Sequence, residues 1–173
     1  MITRSLLVAA LLAGTVIASA GAQERPAAPA PDPAARARAV TAEVNGRLAS
    51  LRVVKKTVRL PGNEFDTKAT GWLEKGALRK ALAVAADDSG EVADEYFLEN
   101  GELVFHYRAI KGFEGTRQVT RVEHRFYFQG GKLARWLGGM EKAPQPTGDA
   151  EAKAKAEERR ALDAVKALAA ALR

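Results

Sequence analysis

Three short stretches of the chain repeat one pattern, and this repeat constrains the fold more strongly than any other feature of its 173 residues. In each stretch an aromatic residue lies four positions before a glycine, and a leucine lies two positions after that glycine. The stretches are WLEKGALRKA (72–81), YFLENGELVF (96–105) and FYFQGGKLAR (126–135). Asn100-Gly101 and Gly130-Gly131 suit a type I′ turn, which requires positive φ at both central residues, whereas Lys75-Gly76 suits it less well. The repeat therefore predicts three β-hairpins.

A helix is predicted before the hairpins, over about residues 33–50. Asp32 is a favoured helix cap, and Pro33 is favoured at the first helical position. The apolar side chains of this segment recur at helical spacing and form one stripe, which consists of Val40, Val44, Leu48 and Leu51.

The segments around the hairpins complete an antiparallel sheet. Residues 52–60 (RVVKKTVRL) are rich in β-branched side chains and end at Pro61-Gly62, so they are predicted to form a strand. Residues 77–86 alternate as a strand does but also contain good helix formers; we interpret them as a strand, with a short helix as the alternative. The predicted fold class is α+β, with an antiparallel β-meander of about six or seven strands flanked by an N-terminal and a C-terminal helix.

A linker and a C-terminal Ala-rich helix are predicted over residues 143–173, with the helix itself over about 149–172. Its apolar stripe lies in its second half, at Leu162, Val165, Leu168 and Leu172. Because only this half has large apolar side chains to bury, we expect the helix to dock on the sheet or to remain partly free. Recognition of a partner or a membrane is the alternative.

The first 22 residues have the organisation of a secretory signal peptide. A basic start at Arg4 precedes an apolar run and then small residues, and cleavage after Ala20 or after Ala22 fits equally well. A membrane anchor is the alternative, but the apolar run is shorter than the ~20 residues that span a bilayer. A Pro/Ala-rich disordered spacer (23–32) and the meander domain (33–142) follow. The prediction is a periplasmic or secreted protein that does not span the membrane after cleavage.

The composition and motifs of the sequence exclude several kinds of functional site. The chain has no cysteine, which excludes disulfides, thiol chemistry and the lipid attachment of a bacterial lipoprotein. The formal net charge is +6, but Lys and Arg alternate with Asp and Glu, whereas a nucleic-acid-binding face needs stronger clustering. We therefore predict no nucleic-acid partner and only weak attraction to anionic surfaces. Phosphate-binding glycine loops and catalytic triad motifs are missing from the sequence, and no cofactor is predicted.

The repeated units resemble those of a family of exported bacterial proteins of uncharacterised function, which carry repeated Tyr-Phe-x-x-Gly-x-Leu hairpins. The resemblance covers roughly residues 70 to 138, and the matching units are Gly76–Lys80, Tyr96–Phe105 and Tyr127–Trp136. It implies a β-meander in an envelope protein and carries no activity. Since the shared residues are those of turns and core, the resemblance transfers fold rather than function.

The candidate catalytic residues are Glu95, His106 and Glu123. A two-residue turn at Asn100-Gly101 pairs Glu95 with His106, and a sheet with one core face then places Glu123 opposite His106. In such a row the two carboxylates would raise the pKa of His106, which could then act as an acid–base group or a cation site. Favourable cross-strand pairing without chemistry is the alternative.

The same register makes two further predictions. It places His106 and His124 on opposite faces of the sheet, so that they cannot share a metal, and no metal site is predicted. It also places Arg125 beside Trp136, where the guanidinium could stack on the indole, and these two residues are the candidate binding residues.

The sequence favours an exported, non-catalytic binding or interaction module of the bacterial cell envelope. Its contact surface would be an exposed sheet face or the hairpin tips, and its partner an envelope protein or an anionic polysaccharide or lipid surface. One alternative is an enzyme of unknown reaction that uses the Glu95–His106–Glu123 row. The other is a structural envelope protein that contacts anionic lipid or polysaccharide.

Overall fold

A computed structural model describes residues 32–138 and 148–173 of the chain. Helix α1 spans Pro33–Gly46, and a short 3-10 helix follows at Leu48–Ser50. The strands are β1 (Arg52–Val58), β2 (Thr67–Glu74), β3 (Ala77–Ala86), β4 (Gly90–Glu99), β5 (Glu102–Glu114), β6 (Arg117–Gln129) and β7 (Lys132–Gly138). Helix α2 spans Gly148–Ala171. The predicted signal peptide, residues 23–31 of the spacer and residues 143–147 of the linker lie outside the described residues.

The strands form one antiparallel sheet in which each strand pairs with its neighbour in the chain, in the order β1 to β7. The predicted α+β meander with a helix on either side of it in the chain is therefore confirmed. Residues 77–86 are a strand, as we interpreted them, since they pair with β2 and β4 along their length.

Helix α1 begins as its sequence predicts. The Asp32 side chain accepts a hydrogen bond from the Ala34 backbone N–H at 3.2 Å, and Pro33 is the first helical residue. The α-helix ends at Gly46, earlier than the predicted boundary near residue 50, because the last residues tighten into the 3-10 turn.

The three repeated stretches are hairpins with positive φ at both central turn residues. The φ angles are 50° at Lys75, 52° at Asn100 and 57° at Gly130, and the glycine that follows each of them also has a positive φ. All three turns lie at the same end of the sheet, because the strands run in meander order.

Each of these hairpins also contains a β-bulge at the same place. The extra residue lies three positions after the turn glycine, at Arg79, Val104 and Ala134. A bulge sets two residues of one strand opposite one residue of its partner, so every pair beyond it shifts by one position. The repeat in the sequence thus encodes a turn and a bulge together.

Both faces of the sheet are covered. On one face Phe97, Val104 and Tyr127 pack with Val40 and Val44 of α1. On the other face Tyr96, Phe126 and Phe128 of the sheet pack against α2, whose Leu168 and Leu172 are fully buried there. Helix α2 contacts both edge strands, β1 and β7, so the sheet curves around it.

Candidate functional site

The predicted row of Glu95, His106 and Glu123 does not form. Because Val104 is the extra residue of its bulge, His106 pairs with Tyr96, and Glu95 pairs with Tyr107. Across β6, His106 pairs with Phe126. Successive strand residues alternate between faces, so Glu95 points toward the α1 side of the sheet while His106 points toward α2.

The prediction that the two histidines lie on opposite faces is wrong as well. His106 pairs with Phe126, and His124 lies two residues from Phe126 on the same strand, so both imidazoles face α2. The error came from assuming one core face, whereas this sheet buries aromatic side chains on both. Within residues 32–138 and 148–173, no group of three or more His, Cys, Asp or Glu side chains is placed to hold a metal ion.

The candidate binding residues Arg125 and Trp136 lie on opposite faces and do not stack. The Arg125 guanidinium instead lies over the Tyr107 ring, 5.8 Å from its centroid, and donates a hydrogen bond to Glu123 at 3.1 Å. The Trp136 indole N–H donates to His124 Nδ1 at 3.1 Å on the α2 side. The hydrogen bond from Trp136 makes His124 Nδ1 an acceptor, so a neutral His124 carries its proton on Nε2.

Four charged or titratable side chains gather between the sheet and α2, and we call them the buried charge cluster: Asp94, His106, Arg108 and Glu157. His106 Nε2 lies 2.6 Å from Asp94 Oδ1. Arg108 donates to both oxygens of the same carboxylate, through Nε at 2.7 Å and Nη2 at 3.0 Å. Its Nη1 lies 3.7 Å from Glu157 on α2. The bidentate contact is the geometry in which Arg binds a carboxylate most strongly.

Protonation within the cluster follows from burial and partners. Burial opposes ionisation of Asp94, but hydrogen bonds from His106 and Arg108 outweigh it and hold the pKa of that carboxyl below its ordinary value. Burial lowers the pKa of His106 even though Asp94 favours the charged ring. Arg108 already compensates the Asp94 charge, and a second buried cation would be unfavourable. His106 is therefore neutral, and its Nε2–H donates to Asp94.

The His106 ring is sealed from solvent. Its side chain is 0% exposed and lies between the rings of Tyr96 and Phe126, with centroids 4.5 and 4.8 Å away. Its second nitrogen, Nδ1, is buried without a hydrogen-bond partner among the described residues. Burial, with the nearby Asp94 charge, also raises the pKa of Tyr96. The imidazole thus acts as one layer of an aromatic stack.

Helix α2 contributes Glu157 to this cluster and places Arg160 beside it. Arg160 donates to Glu157 through Nε at 3.0 Å, and burial raises the pKa of the Glu157 carboxyl. The neighbouring Glu158 accepts a hydrogen bond from the Leu133 backbone N–H at 2.6 Å. The first half of α2, which has few large apolar side chains to bury, is thus held by polar contacts.

A cavity of about 450 Å³ lies against the cluster, at the end of the sheet away from the three repeated turns. We call it the sheet–helix cavity, since strands β3–β5, the loop after β1 and helix α2 form its walls. Asp94, Arg108 and Arg160 line its polar side, whereas His106 does not line it. Its apolar walls are formed by Leu60, Ala83, Ala85, Val92, Ile110 and Ala164. Its size is within the ~300–1,000 Å³ of small-molecule sites.

An exposed aromatic side chain lies at the mouth of this cavity. Phe65, in the loop after β1, lines the cavity and is 53% exposed. The loop is held by Asn63, whose side chain accepts from the Phe65 N–H at 3.2 Å and donates to Thr67 Oγ1 at 3.1 Å. A large apolar side chain at an opening of this kind extends the apolar surface from the cavity to solvent.

No family model matches the chain, and neither a curated protein nor a solved structure matches it. The resemblance to exported proteins with repeated hairpins stays a prediction. Of the described helices, none is both long and apolar enough to cross a membrane.

Proposed function

We propose that this protein is an exported, non-catalytic binding module of the bacterial cell envelope, and that the sheet–helix cavity takes a small, largely apolar ligand. The observation that supports the proposal is the cavity itself, which combines apolar walls, a volume of about 450 Å³ and an exposed Phe65 at its mouth. Ligand sites in proteins are typically concave and apolar, with a few polar groups that fix orientation.

The polar side of the cavity suits binding better than catalysis. Both oxygens of Asp94 accept hydrogen bonds from Arg108, and one of them also contacts His106, so this carboxylate is already committed within the protein. Lys111 is paired with Glu91 at 2.7 Å. Asp87 accepts hydrogen bonds from the Ser89 hydroxyl and from the Ser89 and Gly90 backbone N–H groups, so its carboxylate is engaged within the turn between β3 and β4. A sealed His106 lends no support to the alternative of an enzyme.

Binding is tested with N-phenyl-1-naphthylamine, an uncharged aromatic probe that fluoresces in apolar surroundings. Saturable binding of one probe per chain is expected. Ala85→Leu places an isobutyl group in the cavity and should weaken binding at least about tenfold, the equivalent of ~1.4 kcal/mol. Ala170→Leu is the matched control, because Ala170 is an exposed residue of α2 that does not line this cavity.

Two results would contradict the proposal. One is probe binding that does not saturate. The other is equal binding by the Ala85→Leu and Ala170→Leu variants with intact folds.

Export is tested by expression of the full chain in a bacterium. The protein in the envelope fraction should begin after Ala20 or Ala22 by mass spectrometry. Retention of Met1 on a cytoplasmic protein would refute export.

A further inference from the structure

The Tyr96 side chain presents a polar atom to the sheet–helix cavity. Tyr96 lines the cavity and is 1% exposed, and its ring lies against that of His106. Its hydroxyl forms no hydrogen bond with any of the described residues. Among these residues, the only polar side-chain atom that lacks a partner and is fully sealed is His106 Nδ1. The Tyr96 hydroxyl is therefore in contact with open volume, and the cavity provides that volume.

The charged side chains that line the cavity with Tyr96 are already engaged within the protein. Three ion pairs involve the cations of the lining: Arg108 with Asp94, Lys111 with Glu91, and Arg160 with Glu157. The remaining charged residue of the lining, Asp87, accepts hydrogen bonds within its own turn. A ligand that bound to one of these groups would compete with its present partner. A ligand oxygen can meet the Tyr96 hydroxyl without breaking any such contact.

The charges around the cavity do not favour an ionic ligand. Three cations and three carboxylates line it, namely Arg108, Lys111 and Arg160 against Asp87, Glu91 and Asp94. Glu157 adds a fourth acidic group without lining the cavity. The exposed charged neighbours of lining residues in the chain do not reverse this balance, since they are Arg59, Lys68 and Arg159 against Glu64, Asp66, Asp88 and Asp163. Because an unpaired charge is costly to transfer into an apolar site, an uncharged ligand fits this cavity better.

The Tyr96 hydroxyl is suited to contact an oxygen atom of such a ligand. Burial, with the nearby Asp94 charge, raises the pKa of Tyr96, so the hydroxyl keeps its proton at neutral pH. A neutral phenol O–H donates one hydrogen bond, which a carbonyl, ester or hydroxyl oxygen accepts. A ligand that displaced water from this hydroxyl without offering an acceptor would leave it unpaired, and an unpaired buried donor is unfavourable.

We propose that the ligand of the sheet–helix cavity is an uncharged, largely apolar molecule with an oxygen acceptor, and that this oxygen accepts a hydrogen bond from Tyr96. The inference rests on the proposed function, since it concerns the same cavity, and it names the chemical class of the ligand. That class contains apolar ketones, esters and alcohols, whereas carboxylates and ammonium ions lie outside it. The apolar walls bind the body of the molecule, and the Tyr96 hydroxyl fixes its orientation.

The test is competition with N-phenyl-1-naphthylamine by two compounds of equal shape, measured on the exported protein. 2-Acetylnaphthalene carries a carbonyl oxygen where 2-isopropylnaphthalene carries a methyl group. In Tyr96→Phe the ketone should bind about fivefold more weakly than in the wild type, as the loss of one neutral hydrogen bond predicts. The hydrocarbon should bind to this variant at least as tightly as to the wild type. The affinity of the fluorescent probe is measured separately for each variant, so that the competition constants are comparable.

Tyr127→Phe is the matched control. It removes the same atom from a tyrosine that packs with α1 on the other face of the sheet and does not line the cavity. Both compounds should bind to this variant as they do to the wild type. Because no described residue is hydrogen-bonded to the Tyr96 hydroxyl, Tyr96→Phe should also keep the wild-type urea midpoint. A clearly lower midpoint would show that this hydroxyl stabilises the fold, and it would overturn the inference.

The remaining outcomes separate this inference from the proposed function. Equal weakening of the ketone in Tyr96→Phe and Tyr127→Phe, or equal weakening of ketone and hydrocarbon in Tyr96→Phe, would overturn the role of Tyr96. The ions 2-naphthoate and 1-(2-naphthyl)ethylammonium should compete more weakly than the ketone, and tighter binding of either would overturn an uncharged ligand. Each of these failures leaves saturable probe binding and its loss in Ala85→Leu intact, whereas failure of the proposed function removes them.

Discussion

The Asp94→Asn substitution tests whether the buried charge cluster stabilises the fold. Asp94 is 7% exposed and compensates Arg108, whose side chain is 15% exposed. Asparagine keeps the shape and still accepts a hydrogen bond from His106, but it removes the negative charge. The guanidinium of Arg108 is then left with Glu157, 3.7 Å away, as its remaining partner in the cluster.

The expected loss in the free energy of unfolding depends on which partners Arg108 keeps. Removing one partner of a buried ion pair destabilises a protein by about 3–5 kcal/mol. The residual exposure of Arg108 and the nearby Glu157 both reduce this cost, so we expect the lower end, about 3 kcal/mol. With a urea m-value of about 2 kcal/mol/M, the midpoint of unfolding should fall by about 1.5 M.

Equilibrium urea unfolding, followed by far-UV circular dichroism, measures this change. Glu123→Gln is the matched control, because Glu123 also contacts two arginines, Arg121 at 2.8 Å and Arg125 at 3.1 Å, but its side chain is 29% exposed, against 9% for Asp94. Exposed ion pairs contribute little, so the control should unfold close to the wild-type midpoint. If Asp94→Asn unfolded at the same urea concentration as Glu123→Gln, burial would not be what makes this cluster strong.

The stability difference between wild type and Asp94→Asn depends on pH. The folded-state pKa of Asp94 lies below its ordinary value of ~3.9, because the hydrogen bonds from His106 and Arg108 outweigh the effect of burial. The stability that its charge provides is therefore fully present above the ordinary pKa and is lost as pH falls through the folded-state pKa. The difference between wild type and Asp94→Asn should be largest near pH 7 and narrow below about pH 4. A constant difference down to pH 3 would refute the assignment.

Two further predictions concern the histidines and one glycine. Burial lowers the folded-state pKa of His106, and burial together with Arg108 lowers that of His124. The unfolded state then binds more protons below about pH 6.5, so stability should decline as pH falls through that range. Proton NMR should find that both imidazoles titrate below ~6.5. A higher pKa for His106 would contradict its neutral state. Gly138→Ala should lower the melting temperature more than Gly115→Ala. Both glycines have positive φ, but only at Gly138 would a Cβ meet a backbone oxygen, that of Glu123, at 2.0 Å.

The sequence predicted best those features that depend on a few adjacent residues. Asp32-Pro33 begins α1, and Asn100-Gly101 forms the tight turn, because their preferences for these conformations are local. The order of the strands followed from such turns, since short connections leave a meander as the simplest arrangement.

The candidate site could not be predicted because it depends on register. The single extra residue at Val104 converts the expected pairing of Glu95 with His106 into that of Tyr96 with His106. Asp94 and Arg108, two charged residues that no sequence motif distinguishes, then face each other across β4 and β5. The repeat of the bulge at Arg79 and Ala134 was visible only as a repeated spacing, which fits a regular hairpin equally well.

Burial on both faces of the sheet is the second reason why the site could not be predicted. Tyr96, Phe97 and Leu98 are consecutive and all buried, and a strand with one core face would bury alternate residues instead. In such a run the buried residues do not alternate, so the sequence of β4 alone does not show which side chains point to which face of the sheet. The docking of α2 supplies the missing constraint, and the first half of that helix is positioned by Glu157 and Glu158, whose charges in the sequence indicate only a solvated surface.

Helix α2 is positioned on the sheet by polar contacts as well as by apolar packing. Its apolar residues Leu168 and Leu172 pack into the curved sheet, but apolar packing is non-directional. The contact of Glu157 with Arg108 and that of Glu158 with the Leu133 N–H are directional, and both lie in the half of the helix that has few large apolar side chains. Because the same helix forms a wall of the sheet–helix cavity, these polar contacts also define where that wall lies.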